Sequence, residues 1–127
     1  MRKTTIFLLG IINILLYSCS GSDTYRGLWK ATDSKGERIE IIFDAKSFSI
    51  KDSTGRASKF EYTQNAVSIE NSVKTYGITL SDGREYLINF PLADDESKGI
   101  IKDAEGSPIY TIGRKEYLMY EDIYKLK

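Results

Sequence analysis

The chain has 127 residues, with 18 basic and 18 acidic side chains, no histidine and one cysteine. Charge this balanced offers no basic footprint for nucleic acid. Without histidine there is no Ser-His-Asp triad, no Cys-His pair and no His-containing zinc site.

In chain order, Arg2 and Lys3 give a positive start, and residues 6–17 form an apolar run broken only by Gly10 and Asn13. Such a run, about twelve residues long, fits the h-region of a secretory signal, whereas a membrane-spanning helix needs about 20. Beyond Cys19 the composition changes at once to Ser, Gly, Asp and Thr. Leu16-Tyr17-Ser18-Cys19 resembles the lipobox of bacterial lipoproteins, although Tyr17 is bulkier than the usual middle residue. The resemblance implies cleavage before Cys19 and acylation of its thiol. It also implies a chain held at the bacterial cell envelope. Ser20, rather than Asp, after the cysteine implies sorting to the outer membrane, on its periplasmic face or at the cell surface. One acyl chain anchors only marginally, and the two or three chains of this family anchor firmly. A lone secreted cysteine would otherwise be a free thiol without a disulfide partner. The expected organisation is a signal peptide over residues 1–18, a lipidated cysteine and short tether over 19–24, and a domain over 25–127.

Cleavage after residue 18 leaves 109 residues carrying 16 basic and 18 acidic side chains. That is enough for one domain. The charges are interspersed, with no basic run suited to anionic lipid. From residue 37 onward the pattern is strand after strand. Ile39, Ile41 and Phe43 alternate with polar residues, and Phe48 and Ile50 repeat the period. Phe60 and Tyr62, Val67 and Ile69, then Tyr76, Ile78 and Leu80, and finally Tyr86, Ile88 and Phe90 continue it. Period two in β-branched and aromatic residues predicts half-buried antiparallel strands. Turn signals separate them: Asp33-Ser34-Lys35-Gly36, Asp52-Ser53-Thr54-Gly55, Ser81-Asp82-Gly83-Arg84 and Asp103-Ala104-Glu105-Gly106, with further breaks near Asn71-Ser72 and residues 94–98. The prediction is an all-β fold, an antiparallel meander of eight to ten strands closed into a small barrel, because closure removes exposed edges. A β-sandwich is the alternative.

Gly27-Leu28-Trp29 opens the first strand and resembles the Gly-x-Trp signature of lipocalins and related calycin barrels. In that family the tryptophan packs across the closed end of the barrel under an arginine from a late strand. The resemblance implies that role for Trp29, with Arg114 as partner. Asp122-Ile123-Tyr124-Lys125-Leu126 resembles the last strand of small bacterial lipocalin-like domains. The chain is shorter than a typical lipocalin, and no helical lid follows the first strand.

Little else carries chemistry. Asp94-Asp95-Glu96 is the densest acidic cluster, but it lacks the ligand spacing of a calcium loop and reads as solvated. No phosphate loop is present, and no pair of carboxylates is placed across a cleft by the sequence. No catalytic residue, metal or cofactor is expected. Nine tyrosines and five phenylalanines either fill the barrel or line a pocket. The alternating faces supply the candidate cavity residues: Ile41, Phe43, Phe60, Tyr62, Tyr76, Ile78, Tyr86, Ile88 and Phe90. Two functions compete. One is a lipid-anchored binding protein that takes a small, mostly apolar ligand into the barrel. The other is a structural or interaction lipoprotein whose packed barrel docks an envelope protein or glycan. In either case the Trp29 end is expected to face the membrane, and a mouth formed by loops near 33–36, 52–56 and 94–98 to face away. Nothing in the sequence sets the oligomeric state.

Overall fold

A computed structural model describes residues 20–124. Cys19, the Leu16-Tyr17-Ser18 stretch and the rest of the leader lie outside the described residues. Eight strands follow one another: β1 (Gly27–Asp33), β2 (Arg38–Phe43), β3 (Ser47–Lys51), β4 (Ala57–Glu70), β5 (Val73–Leu80), β6 (Glu85–Phe90), β7 (Lys98–Asp103) and β8 (Pro108–Gly113). Each pairs antiparallel with the next, and β8 pairs with β1 to close the barrel. The closed meander is the fold that the alternation predicts, and the sandwich is excluded.

The strand number settles at eight because two predicted strands are one. Phe60-Tyr62 and Val67-Ile69 both belong to β4, which carries a bulge at Asn65 between the Gln64–Ile78 and Ala66–Gly77 pairs. The extra residue switches inward-facing positions from even to odd. Beyond Tyr62, β4 pairs with β5 only, and its hairpin runs past the barrel wall. There Val67 and Ile69 are 52% and 60% exposed.

Strict up-and-down order sends alternate connections to the same end. Three of the four turns at one end share one construction. Asp33, Asp52 and Asp103 each accept, through Oδ1, the N–H groups two and four residues on, at 2.9–3.0 Å. Gly36, Gly55 and Gly106 then close the loops at positive φ. Turn 81–84 lies at this end too. The loop at residues 94–98 belongs to the opposite end, with 44–46 and 71–72. The expected grouping of 94–98 with the 33–36 and 52–56 loops is thereby corrected.

The expected last strand is corrected over its described part, Asp122 to Tyr124; Lys125 and Leu126 lie outside the described residues. Tyr120–Ile123 forms a one-turn helix, α1, with Tyr124 as its C-cap. The Asp122 carboxylate accepts the Met119 N–H at 2.9 Å, which favours a turn over an extended strand. With β8 already closing the sheet on β1, no edge remains for a ninth strand. Ile123 instead packs with Leu118, Ile100 and Leu92 on the outer wall of the barrel.

Candidate functional site

The two ends of the barrel interior differ in how they are filled. At one end the N-terminal segment acts as a plug. The Gly21 N–H donates to Ala45 O at 2.7 Å, and the Ser22 N–H donates to Gln64 Oε1 at 3.0 Å. Arg26 returns Nε and Nη2 to Gly21 O at 3.0 and 2.5 Å. A Cβ at position 21 would sit 2.0 Å from the Tyr62 hydroxyl, so only glycine passes there. The segment expected to be a short tether is docked from Gly21 onward.

This plug delivers Tyr25 to the barrel axis, fully buried against Phe43 and Tyr76, each with its ring centroid 5.2 Å away. The Tyr25 hydroxyl donates to Gln64 Oε1 at 2.7 Å, and Tyr62 donates to Asp44 O at 2.5 Å. Burial pushes both phenols up from their ordinary ionisation range. Trp29 is fully buried behind Tyr25 and donates Nε1 to Tyr25 O at 2.8 Å. The Arg114 guanidinium lies 3.7 Å from the centroid of the Trp29 ring and donates to Leu28 O and Thr24 O. Burial lowers its pKa, yet an arginine stays charged. The cation over the indole and its two carbonyl partners seal this end.

The other end is hollow. A cavity of about 270 Å³ opens between turns 33–37, 52–56, 81–84 and 103–107. Its wall is apolar: Ile41, Phe43, Phe48, Ile50, Phe60, Ile78, Leu80, Ile101 and Ile109. Its polar lining groups are Arg84, Tyr86 and Tyr110. Arg84 is clamped at the rim. Its Nη2 and Nε meet Asp82 Oδ2 at 2.8 and 2.9 Å, and its Cζ lies 5.3 Å from the Phe60 ring centroid. Its Nη1 turns toward the Tyr86 hydroxyl at 3.4 Å. Burial, then Asp33, pushes the Tyr110 phenol up, so it remains a neutral O–H donor.

The nine candidate cavity residues all sit on inward-facing positions, but only some reach the cavity, and Phe43 borders both the cavity and Tyr25 at the plugged end. Ile41, Phe43, Phe60, Ile78 and Tyr86 line the cavity. Tyr62, Tyr76, Ile88 and Phe90 do not; they are buried in the core packed around Tyr25 and Trp29. Phe48, Ile50 and Leu80 share the lining and were readable by the same alternation. Ile109 and Tyr110 were not. The β7–β8 register skips Ile109, passing from Ile101–Tyr110 to Lys102–Pro108. This bulge at the rim brings two successive residues onto the cavity, a re-aiming that bulges at barrel rims commonly achieve. Arg84 was read only as turn punctuation.

Among the described residues, no three His, Cys, Asp or Glu side chains converge on a metal-sized site. No helix among them is long and apolar enough to cross a membrane. Comparison with protein-family models, curated proteins and solved structures gave no match to this chain.

Proposed function

We propose that this is a lipid-anchored, lipocalin-like protein of the bacterial cell envelope that binds a small, mostly apolar ligand without catalysis. The observation that carries the reading is the hollow end of an otherwise packed barrel. An eight-stranded barrel is just wide enough to be filled by its own side chains or to hold one small ligand. Here one end is filled by Tyr25 and Trp29, and the other keeps an apolar cavity with three polar groups at its mouth. Concave, mostly apolar walls with a few convergent polar groups are the usual form of a ligand site. The Gly27-x-Trp29 signature with Arg114 over the indole supports the lipocalin-like reading.

The leader supports the anchor. Gly21 is docked beside Ala45, so an acylated Cys19 would lie one or two residues from the plugged end. That arrangement holds Trp29 toward the bilayer and turns the cavity mouth away, with turns 33–37, 52–56, 81–84 and 103–107 around it.

Displacement of a small fluorescent apolar probe tests the ligand site. Saturable binding to the native protein and weaker binding in Ile101→Phe, whose ring takes up part of the cavity, are expected. Absence of saturable binding by any small apolar probe would sink the reading. Metabolic labelling with a palmitate analogue tests the anchor. Incorporation that persists in Cys19→Ala would refute it.

One observation favours the interaction reading instead. Val67 and Ile69 are exposed on a stretch of β4 that pairs on one side only. Such edges template strand addition. If Val67→Lys with Ile69→Lys abolishes an envelope phenotype that Ile101→Phe leaves intact, the docking function takes precedence over the cavity.

A further inference from the structure

The rim of the plugged end is uneven. β3 stops pairing with β4 at Glu61, and the Tyr62 N–H donates to Lys46 O in the β2–β3 loop. From Tyr62, β4 runs on to Glu70, roughly 26 Å of strand. Its β3-facing edge is unpaired above the 44–46 loop, which leaves a notch in the wall. Residues 62–69 carry neither charge nor proline, the usual devices that blunt an exposed edge. The N-terminal segment lies at the floor of the notch, where Gly21 bonds Ala45 O and Ser22 bonds Gln64 Oε1. Cys19, two residues before Gly21, can be no more than about 7 Å from it.

Two apolar side chains stand above that floor. Val67 and Ile69 lie opposite Tyr76 and Lys74 of β5, and each pair shares a face. Tyr76 is buried, and its hydroxyl donates to Thr24 Oγ1 at 3.0 Å, so this is the face that overhangs the plug. Among the described residues nothing covers Val67 and Ile69, which are 52% and 60% exposed. A second copy fits the edge poorly. Two identical edges that hydrogen-bond about a two-fold axis run antiparallel, which turns the plugged ends of the two barrels toward each other. Two chains anchored through those ends in one bilayer cannot meet that way.

A lipid chain on Cys19 fits better. The hairpin tip, Glu70-Asn71-Ser72, stands beyond the notch floor, so a bilayer facing this end meets the tip first. A tip with a carboxylate stays among the head groups, because hydrocarbon would strip its hydration. An acyl chain that starts at the floor must then pass beside the hairpin before it reaches hydrocarbon. Water along that path is unfavourable for its methylenes, and Val67 and Ile69 offer an apolar surface about 7 Å long. Resting on the anchored reading above, we infer that the β4–β5 hairpin is a guide for the anchor. The first carbons of an acyl chain on Cys19 lie against Val67 and Ile69, and the remainder enters the bilayer.

Metabolic labelling of the full-length protein with palmitate analogues tests this in the membrane. One analogue carries a diazirine near the carboxyl end, and another carries it at the far end of the chain. After irradiation, the near-end probe is expected to mark the peptide containing residues 66–70, and the far-end probe to mark phospholipid. Val67→Ser with Ile69→Ser should lose the hairpin mark and keep the label. Both side chains are more than half exposed, so the fold should tolerate the change. Phospholipid marked by both probes overturns the guide while the anchor stands. A chain that takes up neither the analogues nor plain palmitate overturns the anchor and the guide together. A near-end mark on another polypeptide, or on a second copy recognised by its doubled mass, gives the hairpin to a protein partner instead. A hairpin mark that survives the serine variant overturns the role of these two side chains.

Discussion

The two halves of this barrel are built from one alternating pattern and end in opposite states. At the plugged end, inward residues meet a second set of side chains brought by the N-terminal segment, with Tyr25 and Trp29 both fully buried. At the open end, the same kind of inward residue meets empty space of about 270 Å³. The strands do not decide which end is filled. What decides it is the segment before β1, which crosses one end, pinned by Gly21 and Arg26, and leaves the other uncovered.

The sharpest way to break this comparison is to remove one aromatic from each half. Trp29→Ala deletes a fully buried ring together with the bond to Tyr25 O and the platform under Arg114. A loss of about 3–5 kcal/mol is expected. Phe60→Ala removes a ring already beside open space, so no new enclosed cavity forms, and about 1 kcal/mol is expected. Urea unfolding of both variants measures the difference. Equal losses would mean that the open end is as tightly packed as the closed one.

Enlarging a side chain inverts the ranking. Ile88 is fully buried among the closed-end residues, and Ile88→Phe should cost about 1–3 kcal/mol through overpacking. Ile101 is buried but borders the cavity, so Ile101→Phe has room to grow into and should cost about 1 kcal/mol or less. Thermal unfolding of the pair, with ligand binding measured in parallel, tests both states at once.

The barrel itself was legible in the sequence because period two survives in nearly every strand and Gly-closed turns mark four hairpins. The strand count was legible in principle too. The change from even positions at Phe60 and Tyr62 to odd positions at Val67 and Ile69 is the trace of the Asn65 bulge, not of a turn. The cavity was half legible. Alternation fixes which residues point inward, and all nine candidates do. It carries no information on depth along the barrel axis, so Tyr62 and Tyr76 look the same as Phe60 and Tyr86. Depth is set by register across the sheet and by a plug that reads as linker: Ser20-Gly21-Ser22-Asp23 has no apolar residue to announce its docking. Ile109 and Tyr110 were hidden for another reason. A bulge breaks the alternation that would have reported them.

Ionisation separates the halves more gently. Tyr25 is fully buried with its phenol held neutral, so its folded-state pKa lies above the unfolded value near 10. A raised pKa means that the stabilising contribution is intact below pH 10 and is lost above it, where the unfolded chain releases protons that the folded chain retains. Stability should fall by up to about 1.4 kcal/mol per pH unit above pH 10 for such a tyrosine. Tyr25→Phe should be less stable at neutral pH, having lost the Gln64 bond, but show a shallower alkaline decline. An unchanged slope, followed by thermal unfolding from pH 8 to pH 11, would mean that Tyr25 ionises in place.

The smallest expected effect lies in the turns. At the open end every hairpin places glycine at positive φ, as with Gly36 at 83° and Gly55 at 88°. At the plugged end the β4–β5 hairpin turns through Asn71 and Ser72 at φ of 52° and 66°, and neither is glycine. Two successive positive φ values define the two-residue turn for which Asn-Gly is the favoured pair. Ser72 therefore bears a Cβ in a region that costs an ordinary L-residue about 1 kcal/mol. Ser72→Gly relieves that cost but makes the unfolded chain freer, so a net gain of about 0.5 kcal/mol is expected. Gly36→Ala moves the other way, with a loss of about 1 kcal/mol. If Ser72→Gly destabilises the protein instead, the hairpin is held by contacts of its serine hydroxyl, and its overshoot past the barrel is more rigid than its exposure suggests.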